Sequence, residues 1–240
     1  SVFDHSNATV ARLLGCKVIL ISSGGVGRPI DEICLNKALF EREGVKLLGV
    51  IINKVLPSKF EKIDRLVRLG LENKGIKVLG VLPFDPVLSR PTFGQIIEET
   101  DFKLLCGKDF LENPISKVIV GAMELADTLR YITEGSLLIV PGDRRDIIAA
   151  ALNSFSDEEN NKLKISGIIL TEGIKPEEGL MALMQRAQIP VLIAQEDTYD
   201  VATLFHDLIV KIRPGDKDKI DRAVNMVKES VDLNRILKGI

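Results

Sequence analysis

The chain has 240 residues, 45% of them hydrophobic and 28% charged, a globular balance that excludes a disordered polymer. With no Trp and only two Tyr, its cores must be built from aliphatic side chains. A formal net charge of −2 gives no electrostatic reason to expect a nucleic acid or an anionic membrane as partner.

In chain order, apolar spacing predicts a short helix over Ser6 to Leu14, closed by Gly15. Val18 to Ile21 is a β-branched run with the look of a strand buried on both faces. A glycine-rich turn, Ser22 to Pro29, leads into a helix over Ile30 to Glu43 that Gly44 ends. The cycle repeats with a strand over Val45 to Ile52, an amphipathic helix over Phe60 to Leu71, and a strand over Lys77 to Leu82 ending at Pro83. Alternation with short connections predicts parallel strands. Asp85 to Gly107 is less regular, because Pro86 and Pro91 break any helix before one resumes near Gln95.

A second α/β unit is predicted from near Leu111, with the boundary between Gly107 and Asn113, giving domains over 1–108 and 109–240. Its strands are expected at Lys117 to Val120, Ser136 to Val140, Ile165 to Leu170 and Val191 to Ala194. Its helices are expected at Ala122 to Tyr131, Gly142 to Asn153, Pro176 to Ala187 and Tyr199 to Val210, the last capped by Asp197 or Thr198. Lys217 to Leu237 reads as one charged terminal helix with apolar Ile220, Val224, Val227 and Val231.

The longest apolar stretches are strand-sized, so no bilayer span is expected, and no signal peptide is visible. Residue 1 is Ser and the first Met is Met123, so the sequence is expected to begin partway through a longer chain. Cys16, Cys34 and Cys106 are far apart and odd in number, and the histidines are His5 and His206 alone. Neither a disulfide framework nor a metal site is expected, and a reducing cytoplasm fits best. The cysteines fall on predicted strands or helices, which predicts inert buried thiols. His206, inside a predicted helix, is expected to be packed or half-exposed rather than catalytic.

There is no GxxxxGK[ST], HExxH or GxSxG pattern and no plausible Ser/His/Asp set. Gly24-Gly25-Val26-Gly27 follows a strand and opens a helix, a context that can bring backbone N–H groups and a helix N-terminus to an anion. The competing and favoured reading makes Gly25 and Gly27 part of a tight turn needing positive φ. Asn53 and Lys54 end the second strand, and Pro83, Phe84 and Asp85 follow the third. Open α/β sheets bind ligands at that carboxyl edge. The Asn53 amide can donate and accept at once, as a nucleobase edge requires, although Asn also commonly ends strands.

The runs Val18-Ile19-Leu20-Ile21, Gly24-Gly25-Val26-Gly27, Leu48-Gly49-Val50-Ile51-Ile52-Asn53-Lys54, Leu79-Gly80-Val81-Leu82-Pro83-Phe84-Asp85 and Leu88-Ser89-Arg90-Pro91-Thr92 together resemble the second half of a dethiobiotin-synthetase-like P-loop domain. The nearest versions are those fused to the front of long phosphotransacetylases, with cobyrinic acid a,c-diamide synthases more distant. The resemblance covers roughly residues 1–100. It implies a parallel P-loop-type (SIMIBI) sheet lacking its N-terminal strands, with the phosphate loop and magnesium-binding acids upstream of Ser1. It also implies that Asn53 and the backbone near Pro83 read a purine base.

The second unit resembles the DRTGG domain over about residues 110–215. The matching positions are Gly142-Asp143-Arg144, Gly167 to Gly173, Ile189-Pro190-Val191 and Asp197-Thr198. This implies a smaller Rossmann-like module that dimerises. Glu172 stands where a glycine is usual, and its carboxylate could close or repel an anion site beside Thr171. Read physically, Asp143 suits a helix start and could hold Arg144 or Arg145, while Thr171 and Gly173 sit in a loop expected to expose backbone N–H groups. Asp143, Arg144, Thr171, Gly173, Asp197 and Thr198 thus form either a ligand or subunit interface, or a set of caps and turns.

The fold expectation is α/β throughout. Three functions follow from the sequence: a regulatory, ligand-sensing and dimerising module like the front of phosphotransacetylases; a fragment of an ATP-dependent ligase whose phosphate loop lies upstream; or a structural assembly domain. No catalytic residue is assigned. ATP with magnesium is expected only with an upstream phosphate loop. The expected partners are a second copy of the chain and a small-molecule effector.

Overall fold

The computed structural model describes residues 5–153, 165–208 and 210–239. Its residues divide into two compact units, Ser1–Leu88 with Ile212–Ile240, and Ser89–Lys211. The chain therefore leaves the first unit after Leu88 and re-enters it at Ile212, where the sequence pattern suggested one boundary between Gly107 and Asn113. The terminal helical segment, expected with the second unit, belongs to the first.

In the first unit, α1 (Asn7–Leu13) is capped by Ser6, whose hydroxyl accepts from the Thr9 N–H. A parallel sheet follows, built from β1 (Val18–Ser23), β2 (Leu47–Val55) and β3 (Val78–Pro83), in the order β1-β2-β3. Helix α2 (Arg28–Arg42) connects β1 to β2, and α3 (Phe60–Glu72) connects β2 to β3. Phe60, Ile63, Val67 and Leu71 recur at helical spacing and join Val50, Ile52 and Val81 in the core, while Asp64 and Arg68 pair at 2.8 Å. Gly44, with φ +72, turns the chain after α2.

The terminal segment is two helices, α9 (Lys217–Ser230) and α10 (Leu233–Gly239), not one. The break is at Val231, which is extended and bridges antiparallel to Gly80 in β3. A Cβ on Gly80 would lie 2.6 Å from the Ser230 carbonyl oxygen, so the strap crosses β3 where the strand carries no side chain. The Asp232 N–H then donates to the Leu79 carbonyl at 2.8 Å.

In the second unit, β4 (Lys103–Cys106), β5 (Lys117–Val120), β6 (Ser136–Pro141), β7 (Gly167–Thr171) and β8 (Val191–Ile193) form a sheet in the order β4-β8-β7-β6-β5. Strands β5 to β8 are parallel, as the βα alternation predicts. Strand β4 was not expected and runs antiparallel to β8. Helices α5 (Leu125–Tyr131), α6 (Arg145–Asn153), α7 (Glu178–Arg186) and α8 (Thr198–Asp207) follow the parallel strands in turn. Two aliphatic layers result, one around Leu138, Ile147, Ile168 and Val191, the other around Leu137, Ile139, Ile169 and Leu192. Consecutive residues of β6 thus face opposite cores, as a sheet covered on both faces requires. Phe93, on the short helix α4 (Phe93–Glu99), is fully buried in the second layer. Thr92 and Gln95 close a reciprocal capping box at its start. The side chains of His206 and Asp207, and the expected run of α8 across Ile209, lie outside the described residues.

Candidate functional site

The carboxyl edge of the first sheet gathers most of the residues expected there. Ser23 at the end of β1 lies beside Asn53 of β2, and the Gly24 N–H donates to the Asn53 carbonyl at 2.7 Å. A Cβ on Gly24 would stand 2.8 Å from Val55 Cγ2 and 3.0 Å from its Cα. Glycine is thus required by close approach of two strands. Positive φ is not the reason: neither Gly24, Gly25 nor Gly27 adopts it, contrary to the tight-turn expectation. Gly27 instead precedes α2 at φ −110 and ψ −107, outside the helical and extended regions, and no side chain caps the helix. The N–H groups of Gly25, Val26 and Gly27 make no hydrogen bond among the described residues. They stand at the positive end of a fifteen-residue helix.

Beside this turn, Lys54 has φ +60, a left-handed conformation that costs a non-glycine residue about 1–2 kcal/mol. The register of β2 against β3 shifts between Ile52 and Val55, so the strand bulges at Asn53 and Lys54. The Asn53 Oδ1 accepts from the Lys54 N–H at 2.9 Å. Among the described residues, the Asn53 NH2 and the exposed Lys54 ammonium have no partner. Pro83 pairs with Val55, and the Phe84 N–H donates to the Val55 carbonyl at 2.7 Å. Asp85 behaves differently. Its carboxylate accepts from the Val87 N–H at 2.9 Å and pairs with Arg222 of α9, and its side chain is only 10% exposed. It anchors the terminal strap.

The carboxyl edge of the second sheet contains the other predicted residues. There the side chains of Arg144, Thr171 and Asp197 and the N–H groups of Glu172 and Gly173 are already used, while among the described residues the Gly142 and Asp143 N–H groups are not. The Glu172 and Gly173 N–H groups, expected to be exposed, donate to the carbonyls of Glu196 and Ala194, both at 2.8 Å. The Thr171 hydroxyl is fully buried and shares a 2.8 Å hydrogen bond with the Thr198 hydroxyl. Asp197 caps α8, accepting from the Asp200 N–H at 2.9 Å. Gly142 admits the chain past Ile174, whose carbonyl oxygen would lie 2.0 Å from any Cβ there. Glu172 has φ +64, which gives a physical reason for glycine to be usual at that position, and its side chain is exposed.

Arg144 is hydrogen-bonded to Asp146 and not to Asp143, whose charge acts on it more weakly. Its guanidinium donates to both Asp146 carboxylate oxygens at 3.0 Å, and to the carbonyls of Met123 at 3.2 Å and Gly121 at 3.4 Å. It thus staples the loop after β5 to the loop after β6. The hydrogen bond to Asp146 raises the Arg144 pKa further, and the same bond holds the Asp146 carboxyl below its ordinary range. Arg145 pairs separately with Glu177 at 2.8 Å.

All three cysteines are free. Burial pushes the Cys106 thiol up, in keeping with an unreactive group, whereas Cys16 is exposed on the turn after α1 and not inside an element. Among the described residues no His, Cys, Asp and Glu group could hold a metal, and no helix is long and apolar enough to cross a membrane. Sequence reasoning missed Arg222 and Glu196, which lie far along the chain from the groups they satisfy. Asp146 was within reach, two residues from Arg144, but Asp143 was the nearer acid.

Two family models together span nearly the whole chain. The DRTGG domain model matches residues 95–208. The second unit is a DRTGG domain. An AAA domain model matches residues 2–92, the N-terminal segment of the first unit and the first four residues of the second. The phosphate acetyltransferase of Synechocystis sp. is 28% identical over 247 residues, covering 99% of this chain and 35% of that protein. That of Nitratidesulfovibrio vulgaris is 27% identical over 96% of this chain and 34% of its own length. That of Pseudomonas putida is 28% identical over 94% of this chain and 34% of its own length. The chain spans about a third of the length of these curated relatives. A solved structure of the CBS and DRTGG domains of the regulatory region of Clostridium perfringens pyrophosphatase, complexed with its activator diadenosine tetraphosphate, overlaps with a TM-score of 0.42 at 19% identity. That overlap covers 63% of this chain and 71% of the other.

Proposed function

We propose that this chain is a regulatory, ligand-sensing region of a phosphate-acetyltransferase-like protein, and that its ligand site is the carboxyl edge of the first sheet. One observation carries the reading: the N–H groups of Gly25, Val26 and Gly27, the Asn53 NH2 and the Lys54 ammonium are uncommitted on a single edge. Amide, ammonium and backbone donors in that combination suit a purine nucleotide, with Asn53 at the base. The strained Lys54 backbone supports the same place, since such conformations persist where the surroundings impose them, often at binding sites. ATP with magnesium would enter only with a phosphate loop contributed by chain outside these residues. A cytoplasmic setting goes with the free cysteines.

A second reading has its own observation. Among the described residues strand β5 pairs with β6 alone, and Val118 in it and Tyr131 of α5 are exposed. An open strand edge with exposed apolar side chains suits self-association through the DRTGG unit.

The test is a calorimetric and thermal-shift titration with ATP, ADP, AMP and acetyl phosphate, with and without magnesium. Saturating nucleotide at a hundredfold excess over its dissociation constant stabilises the fold by about 2.7 kcal/mol. The reading expects a saturable shift that Asn53→Ala abolishes and Arg144→Ala retains. No shift with any of these compounds, or the reverse pattern of loss, overturns it.

A further inference from the structure

The amino edge of the first sheet, opposite the proposed nucleotide site, has a pocket of about 420 Å³. Its apolar floor comes from the starts of β2 and β3, including Leu47, Leu48 and Leu79. Its rim holds four cations, Lys37, Lys46, Lys77 and Arg235, and one carboxylate, Glu41. Glu41 is engaged by Lys37 at 3.2 Å. Among the described residues Lys46, Lys77 and Arg235 have no carboxylate partner.

Three uncompensated cations around one small concavity repel one another, and a multiply charged anion removes that repulsion more effectively than solvent does. The pocket is also built, because Arg235 reaches it from α10, which tertiary contacts hold down. The Asp232 N–H is bonded to Leu79, Val231 bridges Gly80, and the Lys17 ammonium donates to the Gly239 carbonyl. Its volume lies within the range of small-ligand sites.

We infer that this pocket binds a small, multiply charged anion of the phosphate or diphosphate class, which ties α10 to the starts of β2 and β3. The inference is independent of the nucleotide reading, since it concerns the opposite end of the sheet. Because binding draws on an exposed cation cluster, it weakens as salt is added.

The experiment is calorimetry of the whole chain with pyrophosphate at low ionic strength, using orthophosphate and sulfate as weaker-charge comparisons. Lys46→Ala, Lys77→Ala and Arg235→Ala alter exposed side chains and are expected to fold. Each is expected to weaken pyrophosphate binding about tenfold, the loss that accompanies one charge-assisted contact. Lys59→Ala, which removes the same charge near the other end of β2, leaves binding unchanged, and so does Asn53→Ala. Bound pyrophosphate also slows tryptic cleavage after Arg235. Equal weakening by Lys59→Ala, loss in Asn53→Ala, or no binding at low ionic strength overturns the proposal. Failure of nucleotide titrations alone leaves this result standing.

Discussion

The two sheets end their parallel strands in opposite ways. After β1 and β2 of the first unit, backbone donors at Gly25, Val26 and Gly27, the Asn53 NH2 and the Lys54 ammonium are left uncommitted. After β6, β7 and β8 of the DRTGG unit, more of the loop groups are used, although among the described residues the Gly142 and Asp143 N–H groups are not. Glu172 and Gly173 donate to the next loop, Thr171 bonds Thr198, and Arg144 ties two loops together. A carboxyl edge is therefore not a site by topology alone. What decides is whether its polar groups have been used to hold the loops in place.

The contrast can be broken hardest at Gly142, where an added methyl would meet the Ile174 carbonyl oxygen. Gly142→Ala is expected to destabilise the fold by about 3 kcal/mol, read from urea denaturation midpoints. Gly25→Ala, whose new methyl meets only the Pro29 ring, at 2.9 Å from Cγ and 3.3 Å from Cδ, should cost about 1 kcal/mol. Near-equal losses would erase the distinction between the edges. Next in size, Thr171→Val removes the hydroxyl pair with Thr198, and a loss of about 1 kcal/mol is expected in the same assay.

A smaller effect sharpens the comparison from the other side. Glu172 and Lys54 both hold left-handed backbone, and glycine at either relieves the strain, raising stability by up to about 1 kcal/mol. Only Lys54→Gly should also weaken nucleotide binding. The smallest effect concerns acid. The Asp146 carboxyl lies below its ordinary range because Arg144 donates to it. Its contribution is therefore present above the unfolded value and fades as pH falls through the folded one. Thermal melts followed from about pH 5 down to 3 should show a slightly steeper acid loss in the parent than in Asp146→Asn.

Much of this architecture was legible because it is local. The Asp197 cap, the α3 stripe from Phe60 to Leu71 and the β-branched strands all follow from residues close in sequence. Strand β4 was not legible, since Lys103–Cys106 is a four-residue segment defined by its pairing with β8, more than eighty residues later. The site was half legible for the same reason. Asn53 and Lys54 could be placed at a strand end from pattern alone. That Asp85 is taken by Arg222, and that the Glu172 and Gly173 N–H groups are taken by Glu196 and Ala194, are long-range facts. The strap offered a hint: Val231, read as one more apolar helix position, is the residue that leaves the helix to meet Gly80.

The most direct test of the open and closed edges is native-state hydrogen exchange, with and without ADP. The amides of Glu172 and Gly173 should be protected in both conditions, while those of Gly25, Val26 and Gly27 exchange quickly alone and slow when ADP is added. Protection gained at Glu172 and Gly173 with no change at Gly25 to Gly27 would contradict the account and move the working site to the DRTGG unit.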